Sequence, residues 1–374
     1  MGDIFNKAIA LNEISRGAKR CCRGAGHKAA AQAWKTENIE RCEALQYSIV
    51  AGKHKPGHGA PFKIYEPKER DILPPLFRDR VWQNDLCENG VYDALTKSLI
   101  YDCGACRKEM GTEFSIYRMI AALEKFFRKY GDNQGVARHL DIRKYFPSTP
   151  RKESKRVIST HIHDDRAVIE LNNIFDSFVD GRPEDVIAND QYGVRGTGLG
   201  SPVSQLVQLS LLDRVDQMMV REPAVEYYQR TMDDLVFITR DKVDADRLEA
   251  VIREIVGELG FEMTDKGGNN KLKNGFYYLK KKFILTNTGK VIVVPIRAKM
   301  EKERRTLRKH KKLHDMAMLS MEEIQVRYEC WVSTMMLCDC GSRLKQMDAY
   351  FQELFGCKPI YKCKRKPRRR VKHV

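Results

Sequence analysis

The sequence predicts an α+β fold, and three observations lead there. Two apolar runs suited to strands flank an acidic pair in Tyr227-Tyr228-Gln229-Arg230-Thr231-Met232-Asp233-Asp234-Leu235-Val236-Phe237-Ile238, which is a hairpin pattern. A third apolar run, Val136-Ala137-Arg138-His139-Leu140-Asp141-Ile142, closes on another carboxylate and is followed by Tyr145-Phe146. Around these strands lie segments of helical period: Met119, Ile120, Leu123 and Phe127 within 114–130, and Leu248, Val251, Ile252, Ile255, Val256 and Leu259 on one face, with Gly260 as the stop.

In chain order, residues 1–60 are polar and basic, with helix-forming stretches around Ala29–Ala33 and Asn38–Ser48 and then a loop of Gly, Pro and His from Gly52 to Pro61. Residues 62–81 read as an alternating strand, a turn at Pro67, and a second strand with Lys68 and Arg70 at its start. Gly131-Asp132-Asn133 ends the first long helix and leads into the strand to Asp141. A long polar helical region follows, then the glycine-rich Gly193-Val194-Arg195-Gly196-Thr197-Gly198-Leu199-Gly200-Ser201-Pro202. It runs into an amphipathic helix carrying Val203, Leu206, Val207, Leu211 and Val215. Glycine has no side chain to clash, so such a loop lets a flat ligand come close to the backbone. It matches neither the nucleotide P-loop, since Lys-Ser/Thr is missing, nor the dinucleotide fingerprint, since no strand leads directly into it. Two strands, Gly275 to Leu285 and Lys290 to Pro295, precede a basic helical region with Arg304, Arg305, Arg308, Lys309, Lys311 and Lys312, and the chain ends in an arginine and lysine tail.

The 374 residues suffice for two or three compact units, and a net charge of +17 implies a polyanionic partner, with nucleic acid favoured over an acidic membrane surface. No apolar stretch approaches membrane-spanning length, and the N-terminus lacks the layout of a secretory signal. The expectation is a soluble cytoplasmic protein with no membrane partner. Eleven scattered cysteines point to free thiols in a reducing compartment. Cys103 and Cys106 have half a zinc-site spacing, and Cys330, Cys338 and Cys340 offer further ligands, but no second matched pair follows. His161 and His163, beside Asp164-Asp165, read as a solvated polar turn.

Two adjacent carboxylates at a hairpin tip repel each other, so a fold that keeps them there calls for a cation. With Asp141 on a neighbouring strand, three acids are available to hold two metal ions for phosphoryl transfer.

The order of these elements resembles the fingers, palm and thumb of a reverse transcriptase, of the bacterial type found in group II introns, retrons and diversity-generating retroelements. His139 to Phe146 is similar to the first catalytic motif, Thr197 to Gln205 with Asp213 and Asp216 to the template-contacting motif and helix, Met232-Asp233-Asp234 to the catalytic hairpin, Phe62 to Arg80 to the fingers motif, and Gly275 to Leu279 to the primer grip. The resemblance covers Phe62 to Gly356 and implies a right-hand polymerase: a basic N-terminal helical extension (1–61), fingers (62–135), an antiparallel-sheet palm (136–270), primer-grip-like hairpins (271–296), a helical basic thumb (297–361) and a basic tail (362–374).

It also implies roles. Asp141, Asp233 and the backbone carbonyl of Ile142 would hold two Mg2+ ions, with Mn2+ as an alternative, and Asp234 would be a ligand or a tuner of its neighbour. Phe146 would lie under the sugar of the incoming nucleotide and select against a 2′ hydroxyl, and Lys68 and Arg70 would clamp the triphosphate. Leu199, Gly200 and Gln205 would line the nucleotide site, and Lys266 would protonate pyrophosphate. The implied activity is an RNA-directed DNA polymerase of a diversity-generating, phage or defence retroelement. Its partners would be an RNA template, a DNA or RNA primer and dNTPs, with a structured cognate RNA and an accessory protein as further candidates. A template-independent or RNA-making polymerase of the same fold and an inactive RNA-binding module are the alternatives. Thr231 departs from the tyrosine or alanine common at its place, and Leu199 from glutamine or isoleucine; neither removes a metal ligand.

Overall fold

A computed structural model describes residues 3–65, 69–178, 193–265, 268 and 270–362. The chain forms two compact units: Met1–Arg107 with Ile142–Met219 and Ala250–Thr264, and Lys108–Asp141 with Val220–Glu249 and Asp265–Val374. Its strands are β1 (Phe62–Ile64), β2 (Arg70–Ile72), β3 (Val136–Ile142), β4 (Val225–Thr231), β5 (Asp234–Thr239), β6 (Met263–Asp265), β7 (Asn270–Lys271), β8 (Phe276–Tyr278), β9 (Lys281–Leu285) and β10 (Val291–Pro295). Helix and antiparallel sheet are combined as the α+β expectation has it.

The first unit is mostly helical. The N-terminal stretch forms the helices Ile4–Ala8, Leu11–Cys22, Ala29–Thr36 and Asn38–Val50. Helix Leu11–Cys22 turns Ile14, Gly17, Ala18 and Cys21 inward, and these mostly small residues let helix Phe77–Leu86 pack closely against it. A Cβ at Gly17 would sit 2.1 Å from Asp85 Oδ1, so any side chain there would have to displace the Asp85 carboxylate. Trp82, fully buried, donates its indole N–H to Glu170 at 3.0 Å, which satisfies a polar atom that burial would otherwise penalise. The hairpin β1–β2 pairs Ile64 with Arg70 and stands exposed.

Asp164 corrects the reading of a solvated acidic turn. It is buried and caps helix Asp165–Ser177, accepting the Ala167 N–H at 3.2 Å and the Phe5 N–H at 2.9 Å. The capping role suits an Asp one residue before a helix, because the first-turn N–H groups lack intrahelical partners.

The second unit contains the sheet β4-β5-β3, with β7 pairing the start of β3, and a second sheet in the order β10-β9-β8. Its core joins helix Thr112–Tyr130 (Ile116, Met119, Leu123) to Val236 and Ile238 of β5, to Phe276 and Phe283, and to Tyr328, Val332 and Phe351 of the helices Met321–Met335 and Gly341–Phe355. The run from Gly275 to Leu285, read as one strand, folds back on itself. Leu279 and Lys280 both take positive φ, 48° and 59°, and Tyr278 pairs with Lys281. Those two residues carry none of the Gly or Asn signals of a primed turn, which is why the sequence hides it. Among the described residues no helix is long and apolar enough to cross a membrane.

Candidate active site

Asp141 and Asp234 are direct register partners across β3 and β5, as are Leu140 with Leu235 and His139 with Val236. On the other side of β5, Thr231 pairs with Asp234, leaving Met232 and Asp233 as a two-residue connection. Side chains alternate along strands, so Asp141, Asp234, His139 and Thr231 share one face at one end of the sheet. Leu140, Leu235 and Arg230 turn to the other face and are wholly buried there. That burial anchors the hairpin and leaves its acids half-exposed at the edge.

Met232 has φ +60°, a left-handed conformation that costs a non-glycine residue about 1–2 kcal/mol. Strain of this kind persists only where the surroundings hold it, and it concentrates at functional sites. Here Arg230, fully buried, donates Nη1–H to the Met232 carbonyl at 3.0 Å.

The face of the acids is backed by polar groups. His139 Nε2 lies 3.4 Å from Asp234 Oδ1, and its ring meets Tyr278 edge to face with centroids 5.5 Å apart. The hydroxyls of Tyr278 and Thr231 are 2.7 Å apart, and Thr231 reaches Ser115 Oγ at 3.5 Å. Gln229, also buried, donates to the Ser115 carbonyl at 3.0 Å. On the opposite face Arg138 pairs with Asp246 and with Glu249 of the helix Lys242–Glu258.

The other expected site residues that the structure describes belong to the first unit. Arg70 lies exposed in β2. Phe146 is half-buried just beyond β3, and the glycine-rich loop is fastened to its segment: Thr197 N–H donates to the Phe146 carbonyl at 3.1 Å and Gly196 N–H to the Thr149 carbonyl at 2.9 Å. Those amides are therefore spent on the protein's own carbonyls. A Cβ at Gly198 would meet the Phe178 ring at 1.9 Å, so this glycine makes room for an aromatic ring of the protein itself. Leu199 and Gly200 form the outer turn, with Gly200 exposed at φ +104°, and Gln205 follows on helix Pro202–Leu211, its Oε1 3.7 Å from Cys106 Sγ. Ile142 is buried as the last residue of β3. Lys68 and Lys266 lie outside the described residues.

Sequence reasoning missed His139, Tyr278, Arg230 and Gln208. His139 was recoverable, since two residues before Asp141 on a strand is the same face. Gln208 was recoverable as the polar residue on an apolar helix: its Nε2 donates to Thr149 Oγ1 at 2.6 Å and to Thr197 Oγ1 at 2.8 Å, tying the glycine loop to the segment after β3. Tyr278 and Arg230 act through contacts that no sequence spacing announces.

Carboxylates are the hard oxygen donors that magnesium prefers, and the facing Asp141 and Asp234 with Asp233 in the adjoining turn supply them. Among the described residues no three His, Cys, Asp or Glu side chains stand close enough to hold a cation as they are. Holding a cation there would require the three carboxylates to draw together. The described cysteines are free thiols, with Cys103 buried and Cys106 exposed.

No protein-family profile matches the chain, and no curated protein matches it in sequence. Among solved structures it is similar to the Sicinivirus 3Dpol RNA-dependent RNA polymerase, at 12% identity and a TM-score of 0.49, covering 86% of this chain and 68% of that one. It is also similar to an apo telomerase from Candida tropicalis truncated from its C-terminal domain, at 12% identity and a TM-score of 0.40, covering 68% and 60%.

Proposed function

We propose that the chain is an RNA-directed DNA polymerase in which Asp141, Asp233 and Asp234 hold two magnesium ions. The observation that supports this reading is the register pairing of Asp141 with Asp234 beside a strained turn that carries Asp233. Like charges directly opposite each other destabilise a sheet, so their placement makes sense as a cation site. When bound, the metals supply activation of a primer 3′ hydroxyl and neutralisation of the leaving pyrophosphate. The backbone carbonyl of Ile142 is a further oxygen donor next to Asp141 in sequence.

The remaining residues bind and orient. Arg70, with Lys68 and Lys266, offers charge to a triphosphate. Phe146 presents a ring to the sugar, and the turn at Leu199 and Gly200 with Gln205 addresses the nucleotide and its template base. The exposed cations on helix Arg297–Asp315, among them Arg305, Arg308, Lys309 and Lys312, suit the phosphates of a template–primer duplex. A retroelement of the diversity-generating, phage or defence kind, acting with a structured RNA and an accessory protein, fits an enzyme of this type.

Primer extension tests the proposal: full chain, magnesium, an RNA template with a DNA primer, and deoxy- or ribonucleotides, with Asp233→Ala as control. Template-dependent deoxynucleotide addition that the Asp233→Ala chain lacks is the expected result. Preference for ribonucleotides or indifference to template moves the activity to the other polymerase classes, and RNA binding without any extension makes the chain a binding module. Phe146→Ala is expected to raise ribonucleotide addition relative to deoxynucleotide addition about tenfold or more, a discrimination of ~1.4 kcal/mol.

A further inference from the structure

We infer that Arg230 is the positioning residue of the acidic turn: its buried guanidinium fixes the Met232 carbonyl and, through it, the direction in which Asp233 points. The inference rests on the reading of Asp233 as a metal ligand and adds a residue that this reading does not include.

The Met232 carbonyl and the Asp233 N–H belong to one rigid peptide plane. A donor that pins the carbonyl fixes ψ of Met232 and the positions of the Asp233 N and Cα from which the side chain leaves, and the pairing of Asp234 with Thr231 limits the remaining rotation. Arg230 Nη1 is that donor, at 3.0 Å. It reaches the turn from the face opposite the acids, because Arg230 pairs with Leu235 while Thr231 pairs with Asp234. The donor therefore holds the turn without occupying the space that substrate and metal need. Met232 has φ +60°, which a side-chain-bearing residue leaves readily unless held. Removing one partner of a buried ionic contact usually destabilises the fold strongly, so the positioning role is read in kcat and magnesium dependence and not in stability.

A positioning role and a structural one make different forecasts. Arg230→Met, tested in the full chain by primer extension on the folded fraction, is expected to lower kcat about tenfold or more and to raise the half-saturating magnesium concentration, with KM for the nucleotide little changed and the melting temperature measured alongside. Met232→Gly removes the backbone strain, since glycine takes the left-handed region freely. In that background Arg230→Met is then expected to lower kcat by a distinctly smaller factor, a non-additive pair. Equal factors in both backgrounds, or an Arg230→Met chain with wild-type kcat and magnesium dependence, overturn the inference while the polymerase reading stands. If Arg230→Met does not fold, Arg230→Lys takes its place and must show the same split and the same non-additivity; additivity there is equally fatal. A wild-type chain that adds no nucleotide removes the polymerase reading and this inference with it.

Discussion

The Tyr278 hydroxyl lies 2.7 Å from the Thr231 hydroxyl, joining β8 to the last residue of β4 before the acidic turn. A tyrosine on the short hairpin β8–β9 thus braces the acidic hairpin β4–β5, while its ring meets His139 edge to face. Tyr278→Phe keeps the ring and loses the bond. It is expected to cost ~1 kcal/mol of stability in chemical denaturation and to reduce turnover several-fold, because Thr231 keeps only the longer approach to Ser115. Unchanged stability and turnover would make the contact incidental.

The facing pair Asp141 and Asp234 carries its own forecast. Without divalent cations, Asp141→Asn relieves like-charge repulsion across β3 and β5 and is expected to stabilise the fold by about 0.5 kcal/mol. On the proposed polymerase reading the same variant is expected to lose nucleotide addition by ~1000-fold, several kcal/mol of metal-borne charge stabilisation. Magnesium titration followed by thermal melting separates the two effects: the wild-type melting temperature is expected to rise with magnesium, and the variant's is not. A variant that magnesium still stabilises as strongly as wild type would remove Asp141 from the metal site.

What the sequence made legible was whatever a short period encodes. Alternation and apolar runs placed β3, β4 and β5 and put the three acids at the ends of those runs, but the pairing of β3 with β5, which sets Asp141 opposite Asp234, joins strands far apart in the chain and no local period announces it. The helix Lys242–Glu258 buries Leu248, Ile252, Ile255 and Val256, residues its 3.6-residue period had put on one face. Contacts without a period stayed hidden. Arg230 inside an apolar strand looks like an outward-facing cation until the register turns it inward, and Leu279-Lys280 has no residue that advertises positive φ. The glycine-rich loop was legible as a turn but not as to what its glycines accommodate, since Phe178 lies some twenty residues earlier in the chain.

Gly198 makes that point testable. Its missing Cβ is occupied by the Phe178 ring, so Gly198→Ala forces the ring or the loop to move and is expected to destabilise the chain by ~1–3 kcal/mol. Gly200, whose Cβ would meet nothing nearer than Ile72 at 3.9 Å, has space but a φ of +104°; Gly200→Ala is expected to cost ~1 kcal/mol through backbone strain. Shortening the ring with Phe178→Leu should recover part of the Gly198→Ala loss and none of the Gly200→Ala loss, as denaturation midpoints of the single and double variants would register.

His54 and Asp85 give the first unit a stability that depends on pH in two windows. Burial works against a charged imidazole at His54, but the carboxylates of Asp79, 2.7 Å away, and Glu170 outweigh it and hold the group up to about 9, from an ordinary 6.5. Burial likewise pushes the Asp85 carboxyl up to about 8 from 3.8, against the pull of Arg20 at 3.0 Å. Both groups bind their proton more tightly folded than unfolded, so each contributes stability that is complete below its unfolded pKa and lost as pH rises through its folded one. For Asp85 the loss runs from pH 3.8 to about 8, and for His54 from 6.5 to about 9. Melting temperature measured from pH 5 to 10 is therefore expected to fall with pH in wild type. Asp85→Asn should flatten the lower part of that fall and His54→Gln the upper part, each leaving the other in place. A melting temperature that stays level between pH 6.5 and 9 in wild type would mean that His54 does not keep its proton between the two carboxylates.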